Sequence, residues 1–195
     1  MAESITEGLF FDELMVKCEK IPDFKVITFE NGEYPNEPLS YANLFENISK
    51  VAKWLKSQGI GKGDSFSLVM RNHPEFLYCL GAASILGAIV VPIDPRSKGS
   101  KLSYQIKDSS SKGVIFTDEF RPEVERSLSE LPGVKVFGVV YKPGFDSDMS
   151  SKYPSLNEIL EGPSVPPPDG RNNDIKAPFE IIYTSGTTGD PKGVV

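Results

Sequence analysis

The residues best equipped for chemistry are gathered between Tyr183 and Val194. Three glycines (Gly186, Gly189, Gly193), four small hydroxyl side chains (Thr184, Ser185, Thr187, Thr188) and Lys192 share this stretch. Glycine lets backbone N–H groups approach an anion closely and permits positive φ. Ser and Thr hydroxyls donate further hydrogen bonds, and a lysine adds a mobile point charge. These are the parts of a loop that wraps a polyphosphate. The apolar run from Phe179 to Tyr183 leads directly into it and reads as a strand. The plainer alternative is a Gly/Ser/Thr turn, or a tail at a chain end.

The Walker A loop, G-x-x-x-x-G-K-[ST], does not fit. Counting from Gly186, the sixth position is Pro191, and Gly193 follows Lys192 where Ser or Thr belongs. The stretch instead resembles the phosphate-binding signature of the AMP-forming adenylating enzymes, Y-T-S-G-T-T-G-x-P-K-G-V. That family includes acyl-CoA synthetases, firefly luciferase and the adenylation domains of peptide synthetases. Every fixed position is matched from Tyr183 to Val194, with Asp190 in the variable place. The resemblance extends upstream. Leu39-Ser40-Tyr41 followed by Gly59-Ile60-Gly61-Lys62-Gly63-Asp64 is similar to the family's opening. Arg71-Asn72-His73-Pro74-Glu75-Phe76 is similar to its N-x-P-E-F step, and Leu86 to Pro95 to its G-A-x-x-V-P-x-N-P step. Asp94 stands where the family more often has Asn.

The resemblance implies acyl adenylation: a carboxylate attacks the α-phosphate of ATP, expels pyrophosphate, and coenzyme A then takes the acyl group as a thioester. Attacking and leaving groups are both anionic, so charge must be neutralised and the reactants held in line. By resemblance, the backbone of Gly186 to Gly189 cradles the β- and γ-phosphates, and Thr184, Ser185, Thr187 and Thr188 add hydroxyl donors. Lys192 meets charge on the pyrophosphate side. Mg²⁺ bridges phosphate oxygens, with Thr184 as its protein contact. The family's Tyr-Gly-x-Thr-Glu and Thr-Gly-Asp stretches do not occur here. The chain therefore reads as the N-terminal portion of an acyl-CoA synthetase, a fatty-acyl one by general similarity, with no complete set of catalytic residues. The 195-residue polypeptide alone is expected to be inactive. A stand-alone, non-catalytic module that binds a nucleotide or a partner remains the alternative.

A set of alternating elements must position this loop. A short helical stripe runs from Leu9 to about Lys20, and Phe24 to Phe29 reads as a strand, followed by the Asn31-Gly32 turn and a loop through Asn36-Glu37-Pro38. Tyr41, Leu44, Phe45, Ile48, Val51, Ala52 and Leu55 form one face of a helix, with Ser40 as N-cap and Gly59 as stop. Glu46, Lys50, Lys53 and Lys56 fall mainly off that face. Strands at 65–70, 88–93, 114–117 and 134–140 then alternate with helices at 74–86, 101–109 and 122–131. That rhythm predicts an α/β fold, a mainly parallel sheet with helices on both faces. The Pro/Gly-rich stretch 142–174 breaks it, with one short helix near Leu156 to Leu160. The division follows: a helical segment 1–23, an open α/β unit 24–141, a connection 142–174, and the strand and loop 175–195 opening a further unit.

Net charge is −6, which disfavours nonspecific nucleic-acid binding. No run approaches the apolar length of a membrane span, and the acidic N-terminus lacks the pattern of a signal peptide. Cys18 and Cys79 are widely spaced and read as buried reduced thiols; with His73 the lone histidine, an ordinary zinc site is excluded. His73 itself reads as a solvated turn residue before Pro74. A cytoplasmic protein acting on a small carboxylic acid, ATP and CoA, with a homodimer as its assembly, completes the reading.

Overall fold

The computed structural model describes residues 10–30, 35–142, 153–172, 174–184 and 190–195. Asn31 and Gly32 lie outside them. The helix α1 (Phe10–Lys20) precedes an antiparallel pair, β1 (Lys25–Phe29) and β2 (Glu37–Ser40). The loop expected at Asn36-Glu37-Pro38 is thus corrected: Glu37 and Pro38 begin β2. Pro38 is tolerated because this two-stranded ribbon consists of edges only.

Next comes α2 (Tyr41–Ser57). Ser40 caps it as its type predicts: the Asn43 N–H donates to Ser40 Oγ (3.2 Å), and the Ser40 N–H donates back to Asn43 Oδ1 (3.1 Å). Gly59, at φ +87°, takes the left-handed turn that stops the helix.

The central sheet is parallel throughout, in the order β4-β3-β5-β6. Its strands are β3 (Ser65–Val69), β4 (Ile89–Pro92), β5 (Gly113–Thr117) and β6 (Lys135–Val140). The crossovers are α3 (Pro74–Leu86), α4 (Ser100–Asp108) and α5 (Arg121–Ser129). Because β3 lies between β4 and β5, the first crossover runs opposite in direction to the next, which places α3 and α4 on opposite faces. The period-2 alternation of strand side chains then makes two cores. Phe66, Leu68 and Ile115 pack with Ile48, Leu55, Cys79 and Ala82 of α2 and α3. Val69, Val91, Val114, Phe116 and Val139 pack with Leu102, Ile106 and Val124 of α4 and α5. The fold class is therefore α/β with helices on both faces.

Helix α3 lies close against α2 at Gly81. A methyl built there would stand 2.7 and 2.8 Å from Ile48 Cγ1 and Cγ2. The absent side chain lets the backbone of α3 ride on α2. Trp54 ties α2 to the sheet as well, its Nε1–H donating to the Phe137 carbonyl (2.7 Å).

Two polar positions depart from the sequence reading. Lys50 does not lie off the apolar face; it is 8% exposed. The short helix α6 (Leu156–Glu161) packs over α2, and the Lys50 ammonium reaches Glu46 Oε1 (2.8 Å) and the Leu160 carbonyl (2.8 Å) at the end of α6. A cation at a helix C-terminus meets unpaired carbonyls, which offsets the desolvation. His73 is not a solvated turn residue but the half-buried N-cap position of α3, with a buried Nε2 that has no hydrogen-bond partner. Burial, then the nearby Lys142, hold its pKa below the ordinary value. Of the two thiols, Cys79 is buried as expected, whereas Cys18 is only half-buried. Among the described residues no His, Cys, Asp and Glu cluster could hold a metal, and no helix is long and apolar enough to cross a membrane.

Two stability measurements probe this packing. Gly81→Ala would stabilise an open helix interior by about 1 kcal/mol. Here the methyl meets Ile48, and a loss of about 1–3 kcal/mol is expected, read as a lower urea midpoint at constant m. A raised midpoint would show that Ile48 swings aside. Ser40→Ala is expected to cost about 1 kcal/mol in a thermal melt, and an unchanged Tm would remove the cap from the account.

Candidate functional site

The predicted loop hangs from a hairpin. β7 (Ile182–Thr184) pairs antiparallel with β8 (Lys192–Val194), in the register Ile182 to Val194, Tyr183 to Gly193 and Thr184 to Lys192. Of the sequence-derived site residues, Thr184 and Lys192 are therefore direct cross-strand partners at the mouth of the loop. Ser185, Gly186, Thr187, Thr188 and Gly189 lie outside the described residues. Directly opposed residues share a face, so the Thr184 hydroxyl and the Lys192 ammonium are presented together. Both are exposed, and no ion pair among the described residues engages Lys192. A hydroxyl donor beside a free ammonium is suited to an anion with several oxygens. Of the two, only the Thr184 oxygen fits Mg²⁺, an ion that would take most of its ligands from phosphate and water and ask the protein for one or two oxygens.

The hairpin is docked on the α/β unit along three lines. Just before β7 the chain runs parallel to β4: the Val90 N–H donates to the Phe179 carbonyl (2.9 Å), and the Ile181 N–H donates to the Val90 carbonyl (2.9 Å). Ile181 and Tyr183 pack on the apolar core under α4 and α5. Finally, the Tyr183 hydroxyl donates to Asp108 Oδ2 (2.7 Å). Burial and this carboxylate push the Tyr183 phenol well above its usual range. The opposite face of the hairpin stays bare, with Ile182 at 52% and Val194 at 55% exposure.

Gly193 has a packing role that composition did not suggest. A Cβ there would lie 2.9 Å from Ile181 Cγ2 and 3.3 Å from the Tyr183 ring. The glycine leaves room first for Ile181 and then for the ring of its cross-strand partner Tyr183. Asp108 was missed by sequence reasoning altogether; its one signal was an acidic residue closing a helix, the unfavourable end of the macrodipole.

A second polar cleft, about 390 Å³, opens at the carboxyl ends of β3 and β4, lined by Met70, Arg71, Asn72, Asp94, Arg96 and Phe120. Phe120 follows β5, so the cleft borders the crevice between β3 and β5 where the strand order reverses, a common ligand position in open α/β sheets. Its arginines are already paired. Arg71 grips Glu119 with two hydrogen bonds (3.0 and 3.1 Å). Arg96 grips Asp94, which holds that carboxyl down at about 2. The Asp at position 94 thus supplies an ion pair that the family's commoner Asn would not.

Known proteins resemble this chain over most of its length. The family profile described as AMP-binding enzyme matches residues 15–195. The chain is 31% identical over 173 residues to a crotonobetaine/carnitine–CoA ligase of Citrobacter koseri, covering 87% of this chain and 32% of that one. It is 34% identical over 163 residues to a long-chain-fatty-acid–CoA ligase of Mycobacterium tuberculosis, covering 80% and 29%. An acetyl-coenzyme A synthetase of Emericella nidulans is 30% identical over 189 residues, covering 90% and 28%. Among solved structures, the Mycobacterium tuberculosis fatty acyl CoA synthetase superposes with a TM-score of 0.74 at 25% identity, over 96% of this chain and 34% of that one. The chain thus spans about a third of the length of the relatives it matches. With the signature, the hairpin that carries it and the profile match in agreement, the chain belongs to the AMP-binding enzyme family.

Proposed function

We propose that this chain provides the N-terminal, phosphate-gripping part of an ATP-dependent, AMP-forming acyl-CoA synthetase. The observation that carries the reading is the pairing of Thr184 with Lys192 across a hairpin whose turn holds the adenylating-enzyme signature. In this reading the backbone N–H groups of Gly186 to Gly189 hold the β- and γ-phosphates of ATP. Thr184, Ser185, Thr187 and Thr188 donate hydroxyl hydrogen bonds. The Lys192 ammonium stabilises the negative charge that builds on pyrophosphate as its bond to the α-phosphorus breaks. The Thr184 hydroxyl oxygen would be the protein contact for Mg²⁺, which would supply charge screening of the phosphates when bound. The carboxylate of the acid forms the new bond to the α-phosphorus, and coenzyme A thiol afterwards displaces AMP from the acyl carbon.

A fatty acid is the proposed substrate, supported by the long-chain-fatty-acid–CoA ligase and the fatty acyl CoA synthetase among the similar proteins. A cytoplasmic setting is supported by two free cysteines. The division into a unit at 24–141, a connection at 142–174 and a loop-bearing unit from 175 belongs to the same proposal. Its support is the change from parallel βαβ repeats to the antiparallel hairpin.

Acid-dependent exchange of labelled pyrophosphate into ATP tests the reaction. The protein made from the complete open reading frame is expected to catalyse it and to release AMP, and the 195-residue chain alone is expected not to. Release of ADP by the former would favour a P-loop type of hydrolysis instead, and no turnover with bound nucleotide would favour the non-catalytic module. In the active protein, Lys192→Ala is expected to lower kcat by about 10²–10³, the usual cost of removing one transition-state donor. An unchanged kcat would remove Lys192 from the chemistry.

A further inference from the structure

The carboxyl end of α4 carries a polar constellation that the proposed chemistry does not use. Asp108 closes that helix, where a negative side chain faces the negative end of the macrodipole and is disfavoured on electrostatic grounds. Its carboxylate accepts the Tyr183 hydroxyl at 2.7 Å. Tyr104 stands one turn earlier on the same face; desolvation first, then the Asp108 carboxylate, raises its phenol, and Asp190 on the far side of the loop adds to the effect. The residue after Asp108, Ser109, begins a separate buried serine chain. Ser109 Oγ is 2.9 Å from Ser111 Oγ, which is 2.7 Å from Ser67 Oγ in the middle of β3. All three serines are buried.

Tyr183 is the residue immediately before Thr184, so its ring and hydroxyl decide where the loop begins. The ring is held against the notch at Gly193, on the strand that brings the chain back from the loop. One side chain thus touches both strands of the hairpin and the end of α4. We propose that Asp108 is a positioning residue for the phosphate-binding loop, acting through the Tyr183 hydroxyl, with Gly193 leaving room for Ile181 and the Tyr183 ring. The proposal rests on the reading of that loop as a polyphosphate site. Asp108 touches neither substrate nor reacting atoms; it fixes the frame from which Thr184 and Lys192 are presented. Fixing that frame before ATP arrives lowers the ordering cost of binding, so losing it should weaken ATP and leave the acid untouched.

The test uses the protein from the complete open reading frame, with ATP affinity by calorimetry, KM for ATP and for the acid, and Tm for each variant. Tyr183→Phe deletes only the hydroxyl. Asp108→Ala deletes its acceptor, while Asp108→Asn keeps an oxygen that can accept. Tyr183→Phe and Asp108→Ala are each expected to raise the ATP Kd about five- to tenfold, and KM for ATP with it, at unchanged KM for the acid. Combining them should cost no more than the larger single change, the signature of one shared interaction. Asp108→Asn is expected to stay within about twofold of the parent. A lowered Tm with unchanged ATP affinity would make the contact merely structural and overturn the inference, as would additive losses. The underlying reading fails separately: if the parent binds no ATP, the loop is not a phosphate site and the inference falls with it.

Discussion

A parallel sheet leaves one backbone edge open on each outer strand, and everything functional in this chain depends on how the β4 edge is closed. The inner edge of β4 is taken by β3. The outer edge is met by residues 179–181, through the two hydrogen bonds at Val90. An uncovered edge of this kind is a template for pairing with another chain. By closing it with the segment that leads into β7, the fold turns a liability into an attachment, and the hairpin starts from a fixed point on the sheet.

From that point the signature residues divide the work more finely than composition suggests. Tyr183 and Gly193 face the α/β unit and hold the hairpin down. Thr184 and Lys192, next along each strand, face outward, where the proposed reading has them meet the anion. The two-residue period of a strand imposes this alternation, so anchoring and binding positions must interleave. The exposed apolar pair Ile182 and Val194 shares the outward face with Thr184 and Lys192.

Much of this was readable from residue order. The periodic apolar runs located all four strands of the central sheet and its three crossover helices, because each strand is buried on both faces and each helix has an apolar stripe or a Pro and Gly boundary. Pro74 opens α3 and Gly87, at φ +65°, closes it, as their backbone preferences dictate. What escaped depended on partners distant in sequence. The strand at Glu37–Ser40 exists only because β1 lies beside it. Lys50 is buried only because α6, more than a hundred residues later, supplies a carbonyl. The anchoring role of Asp108 needs Tyr183, 75 positions away, to be seen at all. Local pattern reports the period of an element; it carries no record of which polar group will satisfy which.

A crystal structure of the protein from the complete reading frame with bound ATP tests the central claim most directly. The account predicts β- and γ-phosphate oxygens within hydrogen-bond distance of the 185–189 backbone N–H groups and of the Lys192 Nζ. A triphosphate bound elsewhere, such as in the cleft of Arg71 and Arg96, with the hairpin empty, would contradict it.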